Sequence, residues 1–421
     1  MIIGRLVSLL GPRLIATLLA LWVVAVAALS VTADSLPDST WVALKPLPRQ
    51  GHVALFALAV DPANSQALIA GDSEGSILRS QNGGGTWTVV HSGKAALTTI
   101  AFSPYISGLV LAGTRGSGAL ASKDGGMTWS AATGLDGRSV RAVAFALTLI
   151  AAATDHGVYV SQDGFSWTLG GLSGTNLNAV AVEAVHSPVR LVAAGDSQAT
   201  AGILPFFQST DDGATWTQFN PAISGTIAVK FVTGPLPPQG EVRPLIVGTN
   251  TGLFASSDNG ASFKPLSGGG LLPSTDYTQV NFVTDHFDRY YVASDGGGSG
   301  SGGLWRTIDA GRSFTWLVPP EASVTALAVS NEESPTLYVA TFRPSDHVAS
   351  LWTYHDTGGT PRGPAVSPSP IASGSRTAPP GQRSRLLEFL ASPQTPYIAL
   401  GALALLLLLT AGVAHLRARR R

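Results

Sequence analysis

Cysteine is absent from all 421 residues. That excludes disulfides, thiolate zinc sites, iron–sulfur clusters and any cysteine nucleophile. Charge is scarce as well: 12% of residues are Asp, Glu, Lys or Arg, about half the share common in globular chains. The 26 basic and 26 acidic residues cancel. With no basic excess to neutralise phosphates, nucleic acid is not an expected partner. What is abundant is glycine, 48 residues, beside 45% apolar content. Little charge and many glycines among apolar segments predict short strands joined by tight turns, not a helical enzyme.

Two apolar runs stand apart at the ends. Arg5 and Arg13 precede a charge-free run over residues 14–33 (LIATLLALWVVAVAALSVTA). The small residues Val31-Thr32-Ala33 before Asp34 fit a cleaved secretory signal, yet 20 residues also suffice for a retained membrane anchor. At the other end, residues 397–414 are 18 uncharged positions, enough for a helix of ~27 Å. Arg417, Arg419, Arg420 and Arg421 follow, and the positive-inside rule keeps such a tail cytoplasmic. The expected order is signal or anchor at 1–33, body at 38–356, Pro/Gly/Ser-rich stalk at 357–396, transmembrane helix at 397–416 and basic tail at 417–421. The body then lies outside the cytoplasmic membrane. An exported chain without cysteine fits a bacterial envelope.

One pattern recurs down the middle. It reads Ser80-Gln-Asn-Gly-Gly-Gly85-Thr-Trp87, then Ser122-Lys-Asp124-Gly-Gly-Met-Thr-Trp129, then the shorter Ser161-Gln-Asp163-Gly-Phe-Ser-Trp167. Ser209-Thr-Asp211-Asp-Gly-Ala-Thr-Trp216, Ser256-Ser-Asp258-Asn-Gly-Ala-Ser-Phe263 and Thr307-Ile-Asp309-Ala-Gly-Arg-Ser-Phe314 continue it. The aromatic positions lie 38 to 51 residues apart, a period that marks stacked or radial repeats. Each period holds four strand-like runs, such as LFALAV, ALIA, ILRS and TWTVV in the first. Four strands per ~45 residues describe a propeller blade.

First strands open near Leu55, Thr98, Val140, Leu177, Ile227, Gln279 and Val324. The seventh period lacks both the motif and a fourth strand. Asp38-Ser-Thr-Trp41-Val-Ala-Leu, at the start of the body, matches the tail of the motif and the strand after it. The expected fold is therefore all-β: a seven-bladed β-propeller whose last blade is completed by the N-terminal strand, flanked by the two terminal helices.

The motif has a folding explanation. Asp accepts hydrogen bonds from N–H groups a few residues on, Gly supplies a positive φ, and Trp opens the next strand with its ring buried between strands. Six near-copies fit a turn repeated in every blade better than an active site. Ser80, Gly85, Trp87, Ser122, Asp124, Trp129, Asp163, Trp167, Asp211, Trp216, Asp258, Phe263, Asp309 and Phe314 are read as structural. In these residues the chain resembles the Asp-box, or bacterial neuraminidase repeat, propellers over the whole body. That family includes sialidases, xyloglucan-active glucanases, sortilin-like receptors and the photosystem II assembly and stability factor group. The last is the nearest by architecture, and the resemblance implies an exported, non-enzymatic seven-bladed propeller. A fold shared by hydrolases and scaffolds does not by itself decide function.

Ligand sites in such rings are expected on the rim opposite the repeated turns. The loops between second and third strands place Asp72, Glu74, Arg115, Asp155, His156, Asp196, Asn250, Asp295, Arg343, Asp346 and His347 there. Arg49, Lys94, Arg138 and Asp276 belong to the connections between blades. A sialidase site, by the resemblance, needs three convergent arginines, a Tyr–Glu nucleophile pair and an Asp. The nearest match to its Arg-Ile-Pro motif is Phe342-Arg343-Pro344, in the last blade and without the Ile. Tyr277, Tyr290 and Tyr291 have Glu241 as their nearest Glu. A glucanase needs two carboxylates across a cleft, but Asp72, Asp196 and Asp295 sit in ordinary turn contexts. The histidines lack paired metal-ligand spacing. No catalytic constellation, metal or cofactor is expected. The reading is a membrane-tethered, non-catalytic scaffold for a protein or glycan partner, with a surface glycoside hydrolase as the alternative.

Overall fold

The computed structural model describes residues 39–358 except 46, 48–52, 185–187, 197–203, 222, 236–242, 259, 261, 274 and 299–300. The apolar runs at 14–33 and 397–414, and nearly all of the stalk, lie outside the described residues. Within them the chain forms seven antiparallel sheets of four strands each. Blade 1 comprises Leu55–Asp61, Asn64–Asp72, Ser76–Ser80 and Thr88–Ser92, and the next five blades repeat that plan. The first strands begin at Leu55, Leu97, Val140, Leu177, Ala228, Tyr277 and Val324, within two residues of the expected starts.

First strands of successive blades pack against each other around the ring, and the seventh packs against the first. They therefore surround the axis, where room is short. Small side chains follow: Ala57, Ala59, Ala142, Ala144, Ala179, Ala181, Ala326 and Ala328 face the next blade around the ring. Every first strand is bulged at its second residue, so the register slips between Leu55 and Ala57, Val140 and Ala142, Tyr277 and Gln279, and likewise in the other four. A bulge leaves one residue unpaired and re-aims its side chain. Here it does so at the start of the innermost strand.

Blade 7 is closed from the far end of the chain. Trp41–Ala43 pairs antiparallel with Val348–His355, with Trp41 opposite Tyr354, Val42 opposite Thr353 and Ala43 opposite Trp352. The Ser39 N–H donates to the His355 carbonyl and the Leu44 N–H to the Leu351 carbonyl, extending the pairing at both ends. Without this strand, Val348–His355 would expose an unpaired edge.

The repeated turn has one hydrogen-bond pattern in all six copies. The hydroxyl of Ser80, Ser122, Ser161, Ser209, Ser256 or Thr307 donates to the side-chain oxygen two residues on, at 2.7–3.0 Å. The same hydroxyl accepts the N–H of the following Gly84, Gly126, Gly164, Gly213, Gly260 or Gly311 at 2.8–2.9 Å. Those six glycines hold φ between 80° and 85°. In blade 1 that residue is Gly84; Gly85 occupies the place of Met127 and has no positive φ. Each aromatic lies just before the fourth strand, and its ring packs against the preceding blade instead of between strands of its own. Trp87 packs between blades 7 and 1, Trp129 between 1 and 2, and Trp167 between 2 and 3. Trp41 fills the same place between blades 6 and 7, the seventh copy supplied by the other end of the chain.

The geometry reassigns the weight within the turn. Asp124 accepts the N–H groups of Met127 and Thr128, both exposed, so water can replace it. The Gly126 N–H that Ser122 accepts is buried, and it has no substitute. Ser122→Ala is expected to cost about 1–3 kcal/mol, the penalty for an unsatisfied buried donor. Asp124→Ala should cost less, and chemical denaturation of the two variants compares them. Slight burial pushes the Asp124 carboxyl up, but hydrogen bonds from Thr128 and Ser122 outweigh it and hold the group at about 2. Asp258 is held at about 2 by the Ser262 hydroxyl and N–H and by Ser256. An unfolded Asp titrates near ~3.9. The stabilisation from these depressed groups is therefore complete above about pH 4 and is lost as pH falls toward 2. Blade 1 uses Asn82 with the same bonds, so Asp124→Asn should keep the neutral-pH melting point and flatten the acid slope in a pH series of melting curves.

Candidate ligand-binding rim

Antiparallel order within each blade puts turns between strands one and two, and three and four, on one rim. The loops between strands two and three share the other rim with the blade connections. All eleven expected ligand-face residues belong to this second rim, but most of their polar atoms serve the loops themselves. Asp72 is buried and accepts the N–H groups of Glu74 and Ser76 at 3.0 and 2.7 Å. Asp155 accepts the Ser139 N–H at 3.1 Å, tying its loop to the incoming connection. Asn250 does the same for Thr226 and Ile227 at 3.0 and 3.2 Å. Asp196 accepts from the Asn176 amide at 3.2 Å, and Asp295 from the Gly297 N–H at 2.9 Å.

Arg343 donates to both oxygens of Asp346 at 2.9 and 3.0 Å and to Glu321 at 2.9 Å. The His156 N–H donates to the Thr154 hydroxyl at 3.0 Å, and the His347 ring lies 6.1 Å from that of Phe342. Glu74 and Arg115 are exposed, and their side chains make no hydrogen bond or ion pair among the described residues.

A residue that sequence reasoning missed ties the first strand of blade 3 to the start of blade 4. Arg141 is the bulged second residue of the first strand of blade 3. Its guanidinium donates to the Asn176 and Asn178 side chains at 2.5 and 2.8 Å and to the Leu177 carbonyl at 3.1 Å. Burial pulls its pKa down, Asp155 and Asp196 push it up, and nearby Arg115 pulls it down again. One signal was available: a charge inside Val140–Phe145, where the neighbouring first strands carry the neutral Thr98 and Asn178 at the same position. Arg115 is near enough to act on Arg141, and neither it nor Lys94 and Arg138, in the connections into blades 2 and 3, has a side-chain ion-pair partner among the described residues. The rim of blades 2 and 3 thus carries four basic residues, Lys94, Arg115, Arg138 and Arg141, against Asp136 and Asp155. The rim turns acidic at blade 6, where burial and the charge of Asp295 both raise the pKa of Asp276.

The requirements of a sialidase are not met by the described residues. Tyr277, Tyr290 and Tyr291 are buried in the blades, and burial drives all three phenols upward. Tyr277 donates to the Leu272 carbonyl and Tyr291 to Asp356. Arg343 is occupied by Asp346 and Glu321, while Arg49 and Glu241 lie outside the described residues. Asp276 and Asp295 adjoin within one blade and do not face each other across a cleft. No group of three or more His, Cys, Asp or Glu that could hold a metal occurs among the described residues.

The fold and rim define a seven-bladed β-propeller with a charge-divided loop face. No protein-family model matches the chain, and no curated protein matches it in sequence. Solved structures do resemble it. YCF48 from Cyanidioschyzon merolae superposes with a TM-score of 0.50 at 16% identity, over 75% of this chain and 98% of that one. YCF48 bound to D1 peptide gives 0.51 at 16% identity, over 77% and 99%. A chain of the mitotic checkpoint complex gives 0.53 at 10% identity, over 77% and 94%. At such identities the likeness establishes the fold, and the propeller is a scaffold common to all three.

Proposed function

We propose that the protein is a membrane-tethered, extracytoplasmic propeller that binds a protein partner through its loop rim and performs no chemistry itself. One observation carries this reading: Arg115 and Arg138 lack ion-pair partners beside Arg141, which three acceptors hold in place. Unpaired arginines on a rigid rim suit carboxylates of an acidic segment, because the guanidinium fork matches them in two-point geometry. The resemblance to YCF48, solved bound to D1 peptide, supports a protein or peptide as the partner. The tether rests on the 18 uncharged residues at 397–414 and the arginines behind them.

A photo-crosslinking residue at position 115 or 138 in the full-length protein should trap a discrete partner in cells. One at Lys123, on the opposite rim, should not. The Arg115→Glu/Arg138→Glu double variant should lose about 10- to 100-fold in affinity for that partner with an unchanged melting temperature, since rim charges act on association and not on folding. Adducts only from position 123 would overturn the assignment of the face. Polysaccharide hydrolysis by the full-length protein that vanishes in Asp276→Asn would replace the scaffold reading with the glycoside hydrolase one.

A further inference from the structure

Ten large apolar side chains are exposed among the described residues. Five of them, Tyr105, Ile106, Met127, Leu147 and Ile308, lie on the rim of the repeated turns, against two, Phe56 and Val348, at the loop rim. Single exposed apolar residues are ordinary on a protein surface, but four of these five are gathered on blades 2 and 3. Tyr105 and Ile106 are adjacent in the loop between the first two strands of blade 2, and Leu147 occupies the same loop of blade 3. The first strands leading into these loops pack against each other. Met127 joins them because the Gly125 N–H donates to the Gly108 carbonyl at 2.9 Å, tying the repeated turn of blade 2 to its neighbouring loop.

Both loops satisfy their own backbone, as a surface meeting lipid must. The Ser103 hydroxyl accepts the N–H groups of Tyr105 and Ile106 at 3.2 and 3.0 Å. The Leu109 N–H donates to the Ile106 carbonyl at 3.2 Å, and the Ala146 N–H to the Leu149 carbonyl at 2.7 Å. Residues 103–109 and 146–149 hold no charged side chain, whereas the same loops of blades 6 and 7 carry Asp285, Asp288, Arg289, Glu332 and Glu333. Burial lowers the pKa of Arg243 in blade 5 and Tyr105 offsets part of that effect, so the blade 2 loop reaches inward toward the centre of this rim.

What covers the patch follows from where the chain leaves the ring. Ser39 and Gly358 both stand on this rim at blade 7, and the Gly358 carbonyl accepts from Arg306 of blade 6. Five residues, 34–38, separate Ser39 from the apolar run at 14–33, a reach of about 18 Å when fully extended. With that run cleaved or kept, the second apolar run at 397–414 still follows Gly358. A ring held only at blade 7 would pivot on its tether. The patch on blades 2 and 3, across the same rim, supplies a second point of contact.

We propose that the rim of the repeated turns rests on the bilayer surface, with Ile106, Met127 and Leu147 seated at the boundary between headgroups and acyl chains. The basic loop rim then faces away from the membrane. This contact rests on the membrane tether proposed above. Apolar side chains carry it, as in other interfacial segments. The carboxylates of Asp124, Asp163, Asp211, Asp258 and Asp309 share the rim, so uncharged phosphatidylcholine is the fitting probe surface.

The chain has no cysteine of its own, so a single label is specific. Ile106→Cys, Leu147→Cys and, on the loop rim, Ser117→Cys each carry an environment-sensitive fluorophore. Each full-length protein is reconstituted in phosphatidylcholine vesicles containing a nitroxide-labelled lipid. Emission should be quenched by about half or more at 106 and 147, which the contact places within about 5–10 Å of the headgroup boundary, and hardly at 117. Ile106→Asp added to the Leu147→Cys protein should bring its quenching down to the level of 117 with an unchanged melting temperature, because a charge on an exposed loop acts on the contact and not on the fold. Equal quenching at all three positions, in protein that floats with the vesicles, would overturn the contact and leave the tether standing. Stronger quenching at 117 would overturn it too, since the ring would then be inverted. Protein that fails to float would remove the tether and the contact with it.

Discussion

Asp356→Ala is expected to cost the propeller about 3–5 kcal/mol, because it strands a buried cation. Asp356 follows the last strand and is almost wholly buried, as is Arg306 of blade 6, whose guanidinium meets it at 2.5 Å. The Tyr291 hydroxyl donates to the other carboxylate oxygen at 2.6 Å, and the Gly358 N–H returns to the first at 2.9 Å. Burial and the adjoining Asp356 charge keep the Tyr291 proton in place. The pair itself need not be stabilising relative to apolar residues of the same size. Arg306→Met combined with Asp356→Leu should therefore recover most of the loss of the single variant. Urea unfolding of the four proteins in this cycle measures it. A single variant as stable as the parent would show that the cluster contributes nothing to closure.

Trp41→Ala should cost a similar amount, about 3–5 kcal/mol, the range for removing a buried aromatic from a core. Its ring is fully buried, lies 4.9 Å from that of Tyr354 and donates from the indole to the Leu317 carbonyl at 2.9 Å. Trp216 occupies the equivalent place between blades 3 and 4 but is half-buried, so Trp216→Ala should cost distinctly less. The comparison asks whether the seventh aromatic closes the ring or merely fills a groove. Equal losses for the two variants would favour the second account. Chemical denaturation with a common slope is the appropriate measurement.

The blade count and the closure were legible because both depend on local and repeated chemistry. Ser122, Asp124 and Trp129 recur with fixed spacing, and Thr40-Trp41 reads as a displaced piece of the same unit. The rim was less legible. Asp72 and Asn250 have the composition of ligand-binding residues, yet their side chains satisfy N–H groups two to four residues away or on the incoming connection. A sequence shows that such residues occupy a loop; it does not show which donors the loop leaves unpaired. Arg141 was passed over for the opposite reason. It sits inside a strand of otherwise apolar residues, where periodicity assigns a face but says nothing of the acceptors that the next blade supplies. Gly84 rather than Gly85 carries the positive φ because the turn is counted from Ser80, a detail hidden by three glycines in a row.

The two ends of the ring leave it side by side. Third strands run toward the rim of the repeated turns and fourth strands start from it, so His355 and Ser39 meet there. The Ser39 hydroxyl lies 3.3 Å from that of Thr357. A load drawing the two termini apart would peel Trp41–Ala43 from Val348–His355 one residue pair at a time, as a zipper opens, and would not shear the whole strand at once. The fork of that zipper is the place where Asp356 is gripped by Arg306 and Tyr291 and where Trp41 is anchored to Leu317. Resistance to tension is thus concentrated at the first residues that would give way.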